Sequence, residues 1–368
     1  MKRILYSFFL VSFIACAQVD KDIEESTITY EYEVVAGDMY IPWGFDFFPD
    51  GSMIVTEKEG EIFHVKNKVK TTLTGFPNVK VKGQGGLMDV KIHPDYPEKP
   101  WIYATFANED PDDNDKANTR LIRFQLNNNQ IVNVELLYQA KNYSDRGQHF
   151  GSRIEFDNDG YIYFSVGDRG YRDDNPQDIT RDNGKIYRLH DDGSIPADNP
   201  FVNESDAKKA IYSYGHRNPQ GMEKHPETGK IWVHEHGPRG GDEINIINKG
   251  DNYGWPVISY GINYNGTSFT DMTKKEGMEQ PFHYWVPSIA PSGMAFVRSE
   301  KYPHLDGNLL VGSLKFMYVE HLVIENNKVT KREKLLSGEG RVRSIEQGPD
   351  GYIYVGLEGV GVVKLIEK

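Results

Sequence analysis

Cysteine is nearly absent: the 368 residues hold one, Cys16. The chain beyond it therefore has no disulfide and no thiolate metal site. Positive charge is also scarce, with 42 Lys and Arg against 54 Asp and Glu and a net charge of −12. A general nucleic-acid binder needs a basic surface to neutralise phosphates, so the charge argues against that class. Runs of helical periodicity are missing. So is a strand-to-helix glycine-rich phosphate loop, which leaves a nicotinamide-binding Rossmann unit without support. The longest apolar stretch, Ile4 to Ala15 in "MKRILYSFFLVSFIACAQVD", is too short to span a bilayer comfortably. With Lys2 and Arg3 ahead of it, it reads as a signal peptide. Ala15-Cys16-Ala17 fits a small-x-small cleavage site. "FIAC" also fits a bacterial lipobox, although Phe13 stands where an aliphatic residue is usual. A lone cysteine at this one place favours the lipobox over a chance cysteine in a cleaved signal. The expectation is an exported cell-envelope protein, lipid-anchored at Cys16. Residues 1–17 would form the signal and lipobox region, 18–28 a polar tether and 29–368 one catalytic domain.

What is present is β structure in repeats. Tyrosine is frequent, at 22 residues, and a short alternating strand, a Pro/Asp/Gly turn and an aromatic-rich strand recur along the chain. Copies include "WGFDFFPDGSMIVTE" (43–57), "SRIEFDNDGYIYFSVG" (152–167) and "VRSIEQGPDGYIYVGL" (342–357). Others start near residues 87, 221 and 293. No unit of this size buries both its faces alone, so the units must stack. Six four-stranded antiparallel units closing radially make an all-β, six-bladed β-propeller. The last unit supplies three strands, and the early "TITYEYEVV" (27–35) completes it, closing the ring.

In such a blade, residues just before strand one and just after strand two share a face. Before strand one stand Gln84, His149, Arg217 with Asn218, Ser288, and Arg341 with Arg343. After strand two stand Asp168, the loop "EHGPRGGDE" (235–243) and Lys315. A single histidine or arginine at a turn is usually a satisfied or solvated residue. Three Arg, one Lys, a His–Asp pair, a Gln and an Asn converging on one channel mouth mark a small-molecule site. The cations call for a ligand with several carboxylates or phosphates. His149 oriented by Asp168 calls for proton abstraction. The oxygens of Glu235, Asp242, Glu243 and the loop carbonyls suit calcium, or form an acidic turn that caps a strand. His234 and His236 lie nearby without a third ligand for zinc.

"HFGSRIEFDNDGYIYFSVGDRG", "YGHRNPQGM", "EHGPRGGDEINIINKGDNYGWP", "PSIAPSGM" and "RVRSIEQGPDGYIYVG" resemble the soluble quinoprotein glucose/sorbosone dehydrogenases, in particular their aldose sugar dehydrogenase branch. The resemblance runs from about residue 40 to the C-terminus. It implies a propeller that binds pyrroloquinoline quinone (PQQ) and Ca2+ over its channel and oxidises the anomeric hydroxyl of aldoses to lactones. It implies that His149 is the general base and Asp168 its partner, with Arg217 assisting catalysis by polarising a quinone carbonyl. Cofactor contacts would be Gln84, Arg217, Asn218, Tyr264, Ser313, Lys315, Arg341 and Arg343. Carbonyls of Gly237 and Pro238 would bind the cofactor's calcium; Glu243 and the carbonyl of Tyr253 resemble a second calcium site. Partners would be a small aldose and an external electron acceptor, with the protein a monomer or homodimer. Around "PFHYWVPSIAPSG" (281–293) the aromatic residues of the glucose-specific members do not align, which leaves the sugar open. Two other classes stay in view. A calcium-dependent propeller lactonase or hydrolase would need acidic ligands deep in the channel. A non-catalytic carbohydrate- or partner-binding lipoprotein would not need His149 and Asp168.

Overall fold

The computed structural model describes residues 23–368, so the signal, lipobox and Cys16 lie outside the described residues. Every regular element among the described residues is a β-strand. They form six antiparallel sheets arranged as blades. The innermost strands are Pro42–Phe47, Leu87–Ile92, Ile154–Phe156, Pro219–Lys224, Pro291–Phe296 and Val342–Gln347. Each packs against the innermost strands of its neighbours around a central channel.

Burial on both faces explains how the middle strands build blades. In Ile162–Val166, Leu309–Ser313 and Ile353–Leu357 every residue is buried, because both faces of a mid-blade strand lie against an adjacent blade. The core between blades is built from such residues. Leu310, Val319, Ile345 and Val355 pack between blades five and six; Ile54, Val90, Ala104 and Phe124 pack between one and two.

Ring closure follows the sequence expectation. Tyr30–Gly37 pairs antiparallel with Gly361–Glu367, so blade six takes its outer strand from the start of the described chain. One feature differs. Glu24 and Glu25, inside the segment read as a tether, pair in parallel with Glu333 and Lys334, giving blade five a fifth strand. The backbone of this short run is satisfied against the edge of a blade, and Lys334 bonds the Glu25 carboxylate at 3.1 Å.

Arg153 plugs the channel. Its guanidinium donates to Asp89 Oδ1 (2.9 Å), Gln220 O (2.8 Å) and Arg343 O (2.7 Å), and lies over the Trp43 ring. Gly44 makes room for this, since a Cβ there would meet Asp89 Oδ1 at 2.5 Å. One turn of the pleat further along, Asp46, Lys91, Glu155, Glu223 and Glu346 occupy one level of five inner strands. Lys91 lies 3.2 Å from Glu155 and 3.8 Å from Glu346.

Candidate active site

The loop 147–152 enters blade three, and its conformation is unusual. His149 has φ 56°, in the left-handed region that few side chains other than glycine adopt. Such a conformation is sustained only where its surroundings fix it. Here Gln84 Oε1 accepts the His149 backbone N–H at 2.8 Å, and Arg169 N donates to His149 O. The buried imidazole meets Asp168, which follows strand two of the same blade, at 2.6 Å between Nδ1 and Oδ1. An ionised carboxylate only accepts, so Nδ1 carries the proton and Nε2 keeps its lone pair.

Three further hydrogen bonds hold Asp168. Gly170 N donates to Oδ1 at 2.7 Å, Trp255 Nε1 donates to Oδ2 at 2.9 Å, and Asp168 N itself donates to Arg217 O at 2.7 Å, fixing the backbone. Burial raises the Asp168 pKa, but His149, Arg217 and the Gly170 N–H outweigh it, and the net shift is downward. His149 is also shifted down, by burial first and Arg217 second, with Asp168 opposing. An ionised Asp168 beside a neutral imidazole is the state a general base requires at neutral pH.

His149 and Asp168 line a cavity of about 270 Å³ with Arg146, Arg172, Arg217, Pro238, Trp255 and Tyr264. Arg217 donates to His236 O (3.0 Å) and Gly237 O (2.9 Å), and its Nε is buried without a partner. Pro238 and Tyr264 also line a second, adjoining cleft that holds Ser288, Lys315 and Arg341. The mouth therefore brings together His149, Asp168, Arg217, Tyr264, Pro238, Lys315 and Arg341, with Gln84 beneath the His149 backbone.

The remaining candidates sit deeper. Asn218 Oδ1 accepts from Gly151 N at 3.1 Å, while its buried Nδ2 has no partner. Ser313 is buried, donating to Ile289 O and accepting from Phe316 N, so its hydroxyl is committed to the loop. Arg343 is buried against Glu358 and Gln220 rather than lining either cavity. Arg341 also bonds Glu358, at 2.7 Å. Glu358, Trp255, Arg146 and Arg172 were not singled out from sequence. Glu358 stands just after strand two of blade six, where the same face rule would have found it.

The 235–243 loop divides its acids by task. Asp242 accepts from Gly237 N, Ser288 Oγ, Ile289 N and Ala290 N, which makes it a cap rather than a metal ligand. Burial raises its pKa to about 6 against those bonds. Glu235 accepts from Arg217 N at 2.6 Å and from His216 at 2.8 Å. Glu243 is left with Asn245 at 3.4 Å, and burial, then Glu235 and Asp242, push its pKa well up. Glu235, Gly237, Glu243, Tyr253 and Ser259 enclose a small cavity here. Among the described residues, no three His, Cys, Asp or Glu side chains converge as a metal site. A cation here would rest on Glu243 and backbone oxygens. His234 Nε2 and His236 Nε2 donate to Gly293 O and Pro291 O, so neither is free for a zinc ion.

The family model for glucose/sorbosone dehydrogenases matches residues 39–363. The chain belongs to the glucose/sorbosone dehydrogenase family. It is 38% identical to the aldose sugar dehydrogenase YliI of Escherichia coli over 357 residues, 95% of each chain. The crystal structure of the E. coli soluble aldose sugar dehydrogenase in its apo-form superposes with a TM-score of 0.88 at 38% identity, over 92% of this chain and 99% of that one. Quinoprotein glucose dehydrogenase B of Acinetobacter calcoaceticus is 32% identical over 259 residues, 62% of this chain and 53% of that protein. The segment matched to the glucose/sorbosone dehydrogenases spans the six inner strands and the residues lining both cavities, and starts just after the closing strand Tyr30–Gly37.

Proposed function

We propose that the protein oxidises the anomeric hydroxyl of aldose sugars to lactones with PQQ and Ca2+, passing the electrons to an external acceptor. The observation that carries the reading is the buried His149–Asp168 pair facing a cavity ringed by arginines. The name of the quinoprotein relative supports the choice of cofactor.

The residues present fit both groups. A polycarboxylate quinone needs cations and buried donors without partners, and Arg217 Nε, Lys315 and Arg341 offer these at the mouth. The uncompensated Glu243 carboxylate beside loop carbonyls is a hard-oxygen set of the kind calcium takes. When bound, the quinone would supply an electrophilic carbonyl as hydride acceptor, polarised by a calcium that the Gly237 and Pro238 carbonyls would hold, apart from the second site at Glu243. The chain's own residues do the rest. His149 Nε2 takes the hydroxyl proton as C1 loses hydride. Asp168 stabilises the resulting imidazolium and keeps the ring in its tautomer. Trp255 and the Gly170 N–H hold Asp168 in place. Arg217 presents positive charge where negative charge develops.

His149→Ala should lower turnover by ~10²–10⁴-fold in a dye-linked assay while leaving the PQQ titration unchanged. Near-normal turnover would remove His149 from the mechanism. We propose as well that the protein lies in the cell envelope with Cys16 as a lipid anchor, on the strength of the basic residues and apolar stretch ahead of Cys16. Cys16→Ser should then move the protein from the membrane to the soluble envelope fraction with activity intact, and an unchanged distribution would refute the anchor.

A further inference from the structure

Lys185 opens the third strand of blade three, Lys185–Leu189, and is wholly buried. Its partners are backbone oxygens. Nζ donates to Asn175 O at 2.7 Å, Asn183 O at 2.7 Å and Pro176 O at 3.2 Å. An ammonium has three donors and no acceptor, so these bonds use it fully. Asp182, the acid nearest in sequence, pairs with Lys208 at 3.4 Å instead. Burial works against the Lys185 charge, with Asp182 and Asp178 opposing. A buried cation bonded to carbonyls rather than to a carboxylate is costly, since no ion pair offsets its lost hydration.

The stretch it gathers, residues 171–184, leads from Asp168 back to strand three. Tyr171, Arg172, Asp173 and Asp174 line the His149 cavity. Asn175, at the end of that wall, is buried. Its Nδ2 donates to Asp168 O at 2.9 Å, and its Oδ1 accepts from Arg181 Nε at 2.7 Å. Gln177 Nε2 donates to Trp255 O at 2.9 Å, and Trp255 Nε1 is the donor to Asp168 Oδ2. Gly184 lets the stretch close on itself: a Cβ there would meet Pro176 Cα at 2.9 Å and His216 O at 2.6 Å. The carbonyls held by Lys185 therefore belong to the segment whose side chains reach Asp168 and Trp255.

We propose that Lys185 is a positioning residue for the His149–Asp168 pair, locking residues 175–183 beneath the cavity and acting on Asp168 through Asn175. This role rests on the aldose-oxidation reading and goes beyond it, because Lys185 touches neither the cavity nor the pair. It assigns a buried cation to the geometry of the base, where a small displacement is expensive.

Lys185→Gln keeps two N–H donors and removes the charge; Lys185→Met removes both. In the holoenzyme each should lower kcat for glucose, Lys185→Gln by ~10-fold and Lys185→Met by more, with KM and the PQQ titration unchanged. The acid limb of the rate should also move to lower pH, because a loosened Asp168 restores less of the His149 pKa. Lost stability alone would not move that limb. Asn175→Ala should reproduce the kcat loss, and adding it to Lys185→Gln should cost nothing further. Wild-type kcat in folded Lys185→Gln, a loss confined to KM or to PQQ binding, or additive losses in the double variant would each overturn the role. If neither Lys185 variant folds, the residue serves the fold and the role is overturned as well. The Trp255 indole N–H resonance of the apoprotein, assigned with Trp255→Phe, reads the Asp168 contact without turnover. It should shift in Lys185→Gln; an unshifted resonance refutes the role. If the wild type oxidises no aldose with PQQ while that resonance still shifts, the oxidation reading fails and the positioning of Asp168 by Lys185 stands.

Discussion

His149 owes its chemistry to three surroundings: burial, a carboxylate at Nδ1 and an arginine nearby. Burial and Arg217 lower its pKa below the ordinary imidazole value, and Asp168 partly restores it. Two consequences follow for the pH profile. The wild-type kcat/KM should hold steady through neutral pH and fall only on the acid side, as the imidazole protonates. In Asp168→Asn the restoring charge is gone, so that acid limb should move to still lower pH. The plateau should also fall, by ~10²-fold or more, because the tautomer is no longer fixed. A pH–rate series on both proteins checks this. An unchanged limb with an unchanged plateau would show that Asp168 does not act through His149.

At the scale of the blade, the inner strand and its hairpin decide which residues meet. The repeating strand–turn–strand pattern made His149, Asp168, Arg217, Lys315 and Arg341 legible, because each flanks the inner hairpin of a blade at the same mouth. Glu358 in "YVGLEG" obeyed the same rule and was missed, since an acid beside two arginines did not match the cationic pattern sought. Trp255 could not be reached that way. It lies in the loop after the third strand of blade four, 87 residues from the Asp168 it bonds, and no periodicity links them. Arg153 was hidden for another reason: within an alternating strand a charged residue reads as solvent-facing, and only closure of the ring turns that face into a buried channel. Its bonds to Asp89 and to the carbonyls of Gln220 and Arg343 join four blades. Arg153→Met should destabilise the fold by about 3–5 kcal/mol, because Asp89 keeps a buried charge without its partner. Adding Asp89→Asn should recover part of that loss. Urea unfolding of the single and double variants measures both, and a single variant within about 0.5 kcal/mol of wild type would contradict the plug.

For the whole molecule, one ring of charge and one ring of strands act together. Lys91 stands among Asp46, Glu155, Glu223 and Glu346, which come from four other blades. Burial raises Glu346 to about 8, with Lys91 opposing and Asp46 and Glu155 adding to the rise. Burial also raises Glu223 and Asp46. A carboxyl raised in the folded state stabilises fully below its ordinary range, and that contribution is lost as pH rises through its folded value. The melting temperature should therefore fall between the ordinary glutamate range, near 4.5, and about pH 8, and Glu346→Gln should flatten the slope and melt higher than wild type at the top of that window. A slope unaltered by the substitution would mean that the ring does not govern alkaline stability. The propeller exists, on this account, to hold a base and a set of cations around one bound quinone. The direct measurement is dye-linked aldose oxidation by metal-free apoprotein, titrated with PQQ in the presence and absence of Ca2+. The account predicts no turnover from either addition alone and saturable, stoichiometric activation by the two together. Sugar oxidation that is indifferent to PQQ, or no oxidation of any aldose with both present, would contradict it.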